Sequence, residues 1–122
     1  MGVDLHLLVF TFPCYTDDAE ARTVLRLERA RKLFKDISEF SEAKGVVVPG
    51  TFCSYFKNMN SAEPKWGKTL VDIYGRPIKT LTAGELMGFA GHPDVTDSFH
   101  NRAAWAYLSQ LPPEVRVALW WC

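Results

Sequence analysis

Apolar positions along this chain fall in three rhythms, and each rhythm predicts a different element. From Val3 to Phe12 branched and aromatic residues run almost unbroken, VDLHLLVFTF, until Pro13 ends them. Such a run predicts a mostly buried strand tied into a sheet. The spacing then changes to three and four: Leu27, Ala30, Phe34, Ile37 and Phe40 predict an amphipathic helix over residues 19–43. Thr16-Asp17-Asp18 offers capping oxygens at its start, and Gly45 stands where a left-handed cap would close it. Val46-Val47-Val48 predicts a short strand stopped by Pro49-Gly50. Residues 49–68 hold no period and predict a loop, yet Phe52, Tyr55, Phe56, Met59 and Trp66 are too apolar for a disordered linker, so the loop should pack back as a lid or wall.

Beyond the loop the pattern alternates again. Leu70 to Ile73 and Ile78 to Leu81 predict a hairpin around Tyr74-Gly75-Arg76-Pro77. Thr82 and Glu85 form a T-x-x-E capping box that starts a short helix running through Leu86, Met87 and Phe89 to about Gly91. A last helix over residues 97–110 carries Phe99, Ala103, Ala106 and Tyr107 on one side, widened by Ala104, Leu108 and Leu111. Pro112-Pro113 stops it, and VRVALWW from Val115 is a terminal strand. The expected fold is one α/β or α+β domain. Its small mixed sheet contains the N- and C-terminal strands and is packed by the long helix and two shorter ones.

Length and composition narrow the functional classes. At 122 residues, 48% hydrophobic and 23% charged, the chain fits a single domain spanning 1–122 whose core needs no disulfide, metal or cofactor. Fourteen basic and fourteen acidic residues cancel, which argues against bulk nucleic-acid binding and leaves an electrostatic partner only a local patch. Cys14, Cys53 and Cys122 are odd in number and never in a C-x-x-C pair, which points to a reducing cytoplasm rather than a disulfide framework or zinc knuckle. The Leu5–Phe12 run is broken by His6 and Thr11 and reads as neither signal peptide nor membrane span. Met1-Gly2 lacks the Ser or Thr at position 6 that myristoylation wants.

Three constellations carry candidate chemistry. On the long predicted helix, Arg22, Arg26 and Arg29 share a face, alongside Arg31, Lys32 and Lys35; three guanidinium forks would meet phosphates there, although a solvated charged face is the plainer reading. His92, Asp94, Asp97 and His100 gather two imidazoles and two carboxylates, enough for a metal or a base with its orienting carboxylate, although the same carboxylates suit a helix N-terminus. Around the loop and hairpin, Tyr55, Phe56, Lys57, Trp66, Lys68, Tyr74, Arg76 and Lys79 interleave aromatics with cations, as a nucleotide pocket or a protein interface would. A turn needs Gly75 or Pro77, but it has no backbone reason to set Arg76 beside Tyr74. No nucleophile elbow, dinucleotide-binding turn, phosphate loop or HExxH helix is present in the sequence.

YGRPIKTLTAGEL and NRAAWAYLSQLPPEVRVALWWC, with GVDLHLLVF and RTVLRLERARKLF before them, resemble a pattern of small phage and prophage accessory proteins across most of the chain. The resemblance implies a noncatalytic binding protein of the host cytoplasm that inhibits a host defence system. It would do so by blocking a host protein or by sequestering a small anionic nucleotide signal. It directs attention to Tyr74, Arg76, Thr82, Glu85, Asn101, Arg102 and Trp105, to which the loop aromatics and cations add Trp66 and Lys68. A blocker should depend on an exposed aromatic such as Trp66, and a nucleotide sponge on Arg76 with a basic partner from the long helix. No membrane partner is expected, and a homo-oligomer is compatible with the same surface. The rival expectation is a small metal-dependent or histidine-based hydrolase using the 92–100 cluster.

Overall fold

The computed structural model describes residues 3–10, 21–47, 56–57, 66–67 and 74–122. Over them the chain runs β1 (Leu5–Phe10), β2 (Ala21–Arg26), α1 (Arg31–Lys44), β3 (Val46–Val47), β4 (Phe56–Lys57), β5 (Trp66–Gly67), β6 (Lys79–Thr82), α2 (Ala83–Met87), α3 (Pro93–Thr96), α4 (Phe99–Ser109) and β7 (Arg116–Trp121). Five strands form one sheet in the order β2-β1-β7-β6-β3, and every pairing in it is antiparallel. Helices and sheet make a single α+β arrangement. Among the described residues no helix is long and apolar enough to cross a membrane.

The two terminal apolar runs become neighbours at the middle of the sheet. Leu5 pairs with Trp121, Leu7 with Leu119 and Val9 with Val117, and all of these side chains lie on the helix-covered face. The alternate residues Leu8, Phe10, Ala118 and Trp120 form a second buried cluster with Ile78 on the opposite face. Burial on both faces explains why these strands read as continuous apolar runs rather than as an alternation. The strand ends are stitched by reciprocal backbone bonds between Asp4 and Cys122, of 2.8 and 3.0 Å.

The long helix begins later than its periodicity suggests. Residues 21–26 form β2, paired with β1 through Leu25–Leu7 and Val24–Leu8. Strand pairing wins because Thr23-Val24 is β-branched and Leu25 already alternates inward, whereas the helical stripe holds only from Ala30 onward. Arg22 and Arg26 therefore sit on a strand and Arg29 in the connection, so the three do not share a helical face. The capping residues 16–18 lie outside the described residues. At its other end α1 closes on Gly45 with φ −68°, not a left-handed cap. Glycine is required there by space, since a Cβ would run into the Ser41 carbonyl oxygen.

The segment read as a loop contains the strand pair β4–β5, with Phe56 opposite Gly67 and Lys57 opposite Trp66. The rest of that stretch, including any lid, lies outside the described residues, as do residues 70–73 of the expected hairpin. β6 takes its partners elsewhere: Thr80 pairs with Val46 of β3 on one side and Ala118 of β7 on the other. The turn before it has Gly75 at φ +78°, a left-handed conformation that suits glycine.

The T-x-x-E box forms as expected. Glu85 N–H donates to Thr82 Oγ1 at 3.1 Å, and Thr82 N–H donates to Glu85 Oε1 at 2.9 Å. The last helix is preceded by the short α3 and capped by Ser98. Its buried side is Asn101, Ala104, Trp105 and Leu108, so the stripe is turned away from the one expected, and Phe99 is left 67% exposed.

Candidate functional site

Where α1 crosses the ends of the central strands, a cleft of about 780 Å3 opens. That volume lies within the roughly 300–1,000 Å3 of small-molecule sites. Its floor is Trp121 of β7 and Phe34 of α1, whose rings meet edge to face with centroids 6.0 Å apart. Helix geometry supplies one wall: Arg31, Lys35 and Ser38 recur at intervals of four and three and therefore share a side of α1. Val3 and Arg29 border the cleft beside β1, and Arg76 borders it beside β6.

The four cations differ in their surroundings. Arg29 is bound to Asp4 through two contacts, Nε to Oδ1 at 2.7 Å and Nη2 to Oδ2 at 3.2 Å. The guanidinium holds the Asp4 carboxyl below the usual carboxylate range, and Asp4 raises Arg29 in return. Arg29 is thus largely neutralised. Arg76 lies over the Tyr74 ring with Cζ 5.5 Å from its centroid, a cation–π contact. Among the described residues no carboxylate pairs with Arg31 or Lys35.

A smaller recess adjoins the cleft and shares Ser38, Arg76 and Trp121 with it. Beside it Lys79 Nζ reaches Glu42 at 3.0 Å, which occupies that cation.

The remaining candidates have structural partners. Asn101, fully buried, accepts from Glu28 N–H at 2.8 Å and donates to Glu28 O and Asp94 O. Buried Trp105 donates from Nε1 to Leu86 O at 2.8 Å. Closed off from the surface, these two hold the frame together. Thr82 and Glu85 serve each other in the capping box, and Arg102 donates to Thr96 O on the far side of α4. Trp66 is described only as part of β5, and Lys68, Cys14 and Cys53 lie outside the described residues.

The 92–100 cluster is likewise used by helix ends. His92 Nδ1 accepts from Asp94 N–H at 3.1 Å, so the hydrogen sits on Nε2, which lies 2.9 Å from Asp36 of α1. Asp94 Oδ2 accepts from Leu33 N–H in the first turn of α1. Asp97 ends α3, and His100 is exposed against the Phe99 ring. Among the described residues no three His, Cys, Asp or Glu side chains converge to hold a metal ion.

Of the residues singled out from sequence, the cleft therefore gathers Arg76, with Tyr74 beneath it, and three of the cations that precede or begin α1. It adds Phe34, Trp121 and Ser38, which periodicity marks only as core or helix surface. Comparison with protein-family models, curated proteins and solved structures gives no match to this chain.

Proposed function

We propose that this chain is a noncatalytic binding protein that captures a small anionic nucleotide in the cleft between α1 and the strand ends. In this reading it acts as a phage or prophage accessory protein in the host cytoplasm, withholding a nucleotide signal from a defence system. One observation supports capture: Arg31, Lys35 and Arg76, from two separate segments, border one cleft floored by Trp121 and Phe34. Cations meet phosphates while an aromatic floor receives a base, the combination that nucleotide pockets use. The phage assignment rests on the resemblance of YGRPIKTLTAGEL and NRAAWAYLSQLPP alone.

Native mass spectrometry of protein purified gently from a bacterial host tests the reading, paired with calorimetry against a panel of nucleotides. A bound mass in the nucleotide range, or heat that disappears in Arg76→Ala, is the expected result. A bare mass together with no heat from any nucleotide overturns it. A second reading, a blocker of a host protein, draws on the outer side of α4, where Phe99 is exposed beside Ala103 and Ala106. Loss of inhibitory activity in Phe99→Glu with nucleotide binding intact would favour it.

A further inference from the structure

Sheet order fixes how charge is distributed across the cleft. The strands run β1-β7-β6, so Val3 just ahead of β1 and Arg76 ahead of β6 lie on opposite sides of Trp121 in β7. Strands are spaced about 4.8 Å apart, which sets these two borders roughly 10 Å from each other. α1 crosses in the same sense. Its first residue, Arg31, follows the Arg29–Asp4 pair beside β1, and its later residue Ser38 shares the adjoining recess with Arg76 and Lys79 beside β6. From Arg31 to Ser38 a helix rises about 10 Å, with Lys35 between them. Positive charge therefore flanks the aromatic floor on both sides instead of collecting at one point.

We infer that the cleft takes a dinucleotide, a ligand whose phosphates are set apart on either side of a stacked base, in preference to a mononucleotide whose phosphates form a single cluster. The inference rests on the nucleotide-capture reading and names its ligand class. Arg31 and Lys35 meet one phosphate, Arg76 at the opposite border meets the other, and Trp121 carries a base between them. Arg29, already held by Asp4, adds little. Cyclic and linear dinucleotides share this chemistry, since both space their phosphates by a nucleoside.

Calorimetry at physiological salt tests it with cyclic di-GMP, linear pGpG and, as single-cluster probes, ATP and GDP. Either dinucleotide should bind at least about tenfold more tightly than both mononucleotides, and whichever dinucleotide binds more tightly identifies the source. Arg31→Ala and Arg76→Ala, both at exposed positions, should each weaken the dinucleotide about ten- to a hundredfold, the scale of one charge-assisted hydrogen bond. For ATP, by contrast, at most one of the two substitutions should matter. ATP or GDP binding as tightly as the dinucleotides overturns the inference while leaving nucleotide capture standing. Absence of binding by all four probes to protein of native circular dichroism overturns the inference and counts against the capture reading as well.

Discussion

Replacing Asn101 with alanine should cost this protein a large share of its stability, and the structure sets the amount. The side chain is fully buried and makes three hydrogen bonds to backbone: one from Glu28 N–H and two to Glu28 O and Asp94 O. It thus ties α4 both to α3 and to the connection between β2 and α1, whose Glu28 lies 73 residues away in sequence. Each such bond contributes about 1 kcal/mol net, and the partners left behind have little water to turn to. The small void left by the truncated amide adds to the loss. About 3 to 4 kcal/mol is expected in sum, a serious loss against the roughly 5–15 kcal/mol of a typical domain.

Thermal unfolding followed by circular dichroism reads it directly. With an unfolding entropy of about 2.1 cal/mol/K per residue over 122 residues, Tm should fall by about 12 to 16 °C. Asn101→Asp sharpens the test because it keeps shape and the acceptor for Glu28 N–H but turns an oxygen toward two carbonyls. It should lose as much at neutral pH and recover partly on acidification, when a protonated carboxyl can donate once. A loss below about 1 kcal/mol for Asn101→Ala would refute the role assigned to this amide, since even one buried hydrogen bond is worth that much.

The capping box at the start of α2 predicts that Thr82→Ala costs about 1 kcal/mol in urea unfolding while Thr82→Ser is nearly neutral; equal effects would contradict it. Gly45 distinguishes a crowded position from a left-handed one: both Gly45→Ala and Gly45→Asn should destabilise by about 1–3 kcal/mol, whereas a left-handed cap would accept Asn readily. His6 sets a pH dependence. Burial pushes its imidazole below the ordinary value, and among the described residues its Nδ1 has no hydrogen-bond partner, so protonation there meets no acceptor. The folded state thus prefers neutral His6. Its contribution is complete above about pH 6.5 and declines as pH falls below that toward the lowered folded value. The stability difference between wild type and His6→Gln, followed from about pH 7 to pH 5, should change in that direction, and a constant difference would contradict it.

How far the sequence speaks depends on whether a signal is local. β1 and β7 are legible because burial on both faces leaves unbroken apolar runs, and the α2 start is legible because its cap partners stand three residues apart. β2 is not. The five apolar positions from Leu27 to Phe40 keep helical spacing even though Leu27 belongs to the connection, and that continuity masks the β-branched Thr23-Val24 pair. Moving the helix start to Arg31 also changes which cations share a helical face, and this is why Arg31 and Lys35 lie together on the side of α1 that borders the cleft. Asn101 carried a readable sign: Asn101, Ala104, Trp105 and Leu108 are spaced as a buried stripe. Nothing local marks Trp121 as a floor, because its role follows from where α1 crosses the strand ends.

The start of α1 inverts the rules for a stable helix, and that inversion can be tested. A helix N-terminus favours carboxylates, yet the first turn of α1 has none and instead gathers Arg31, Lys32 and, one turn on, Lys35. Ala30 gives no side-chain cap, and the Leu33 amide is served by Asp94, brought in by α3 and held near α1 by His92 and Asp36. Borrowing that carboxylate from 61 residues away leaves the local positions to cations, of which Arg31 and Lys35 line the cleft. Arg31→Glu should therefore raise stability by about 0.3–1 kcal/mol through the helix dipole while removing nucleotide binding. Urea unfolding and calorimetry on the same preparation decide the matter. A variant that is less stable than wild type and still binds nucleotide would show that Arg31 serves the fold and not the cleft.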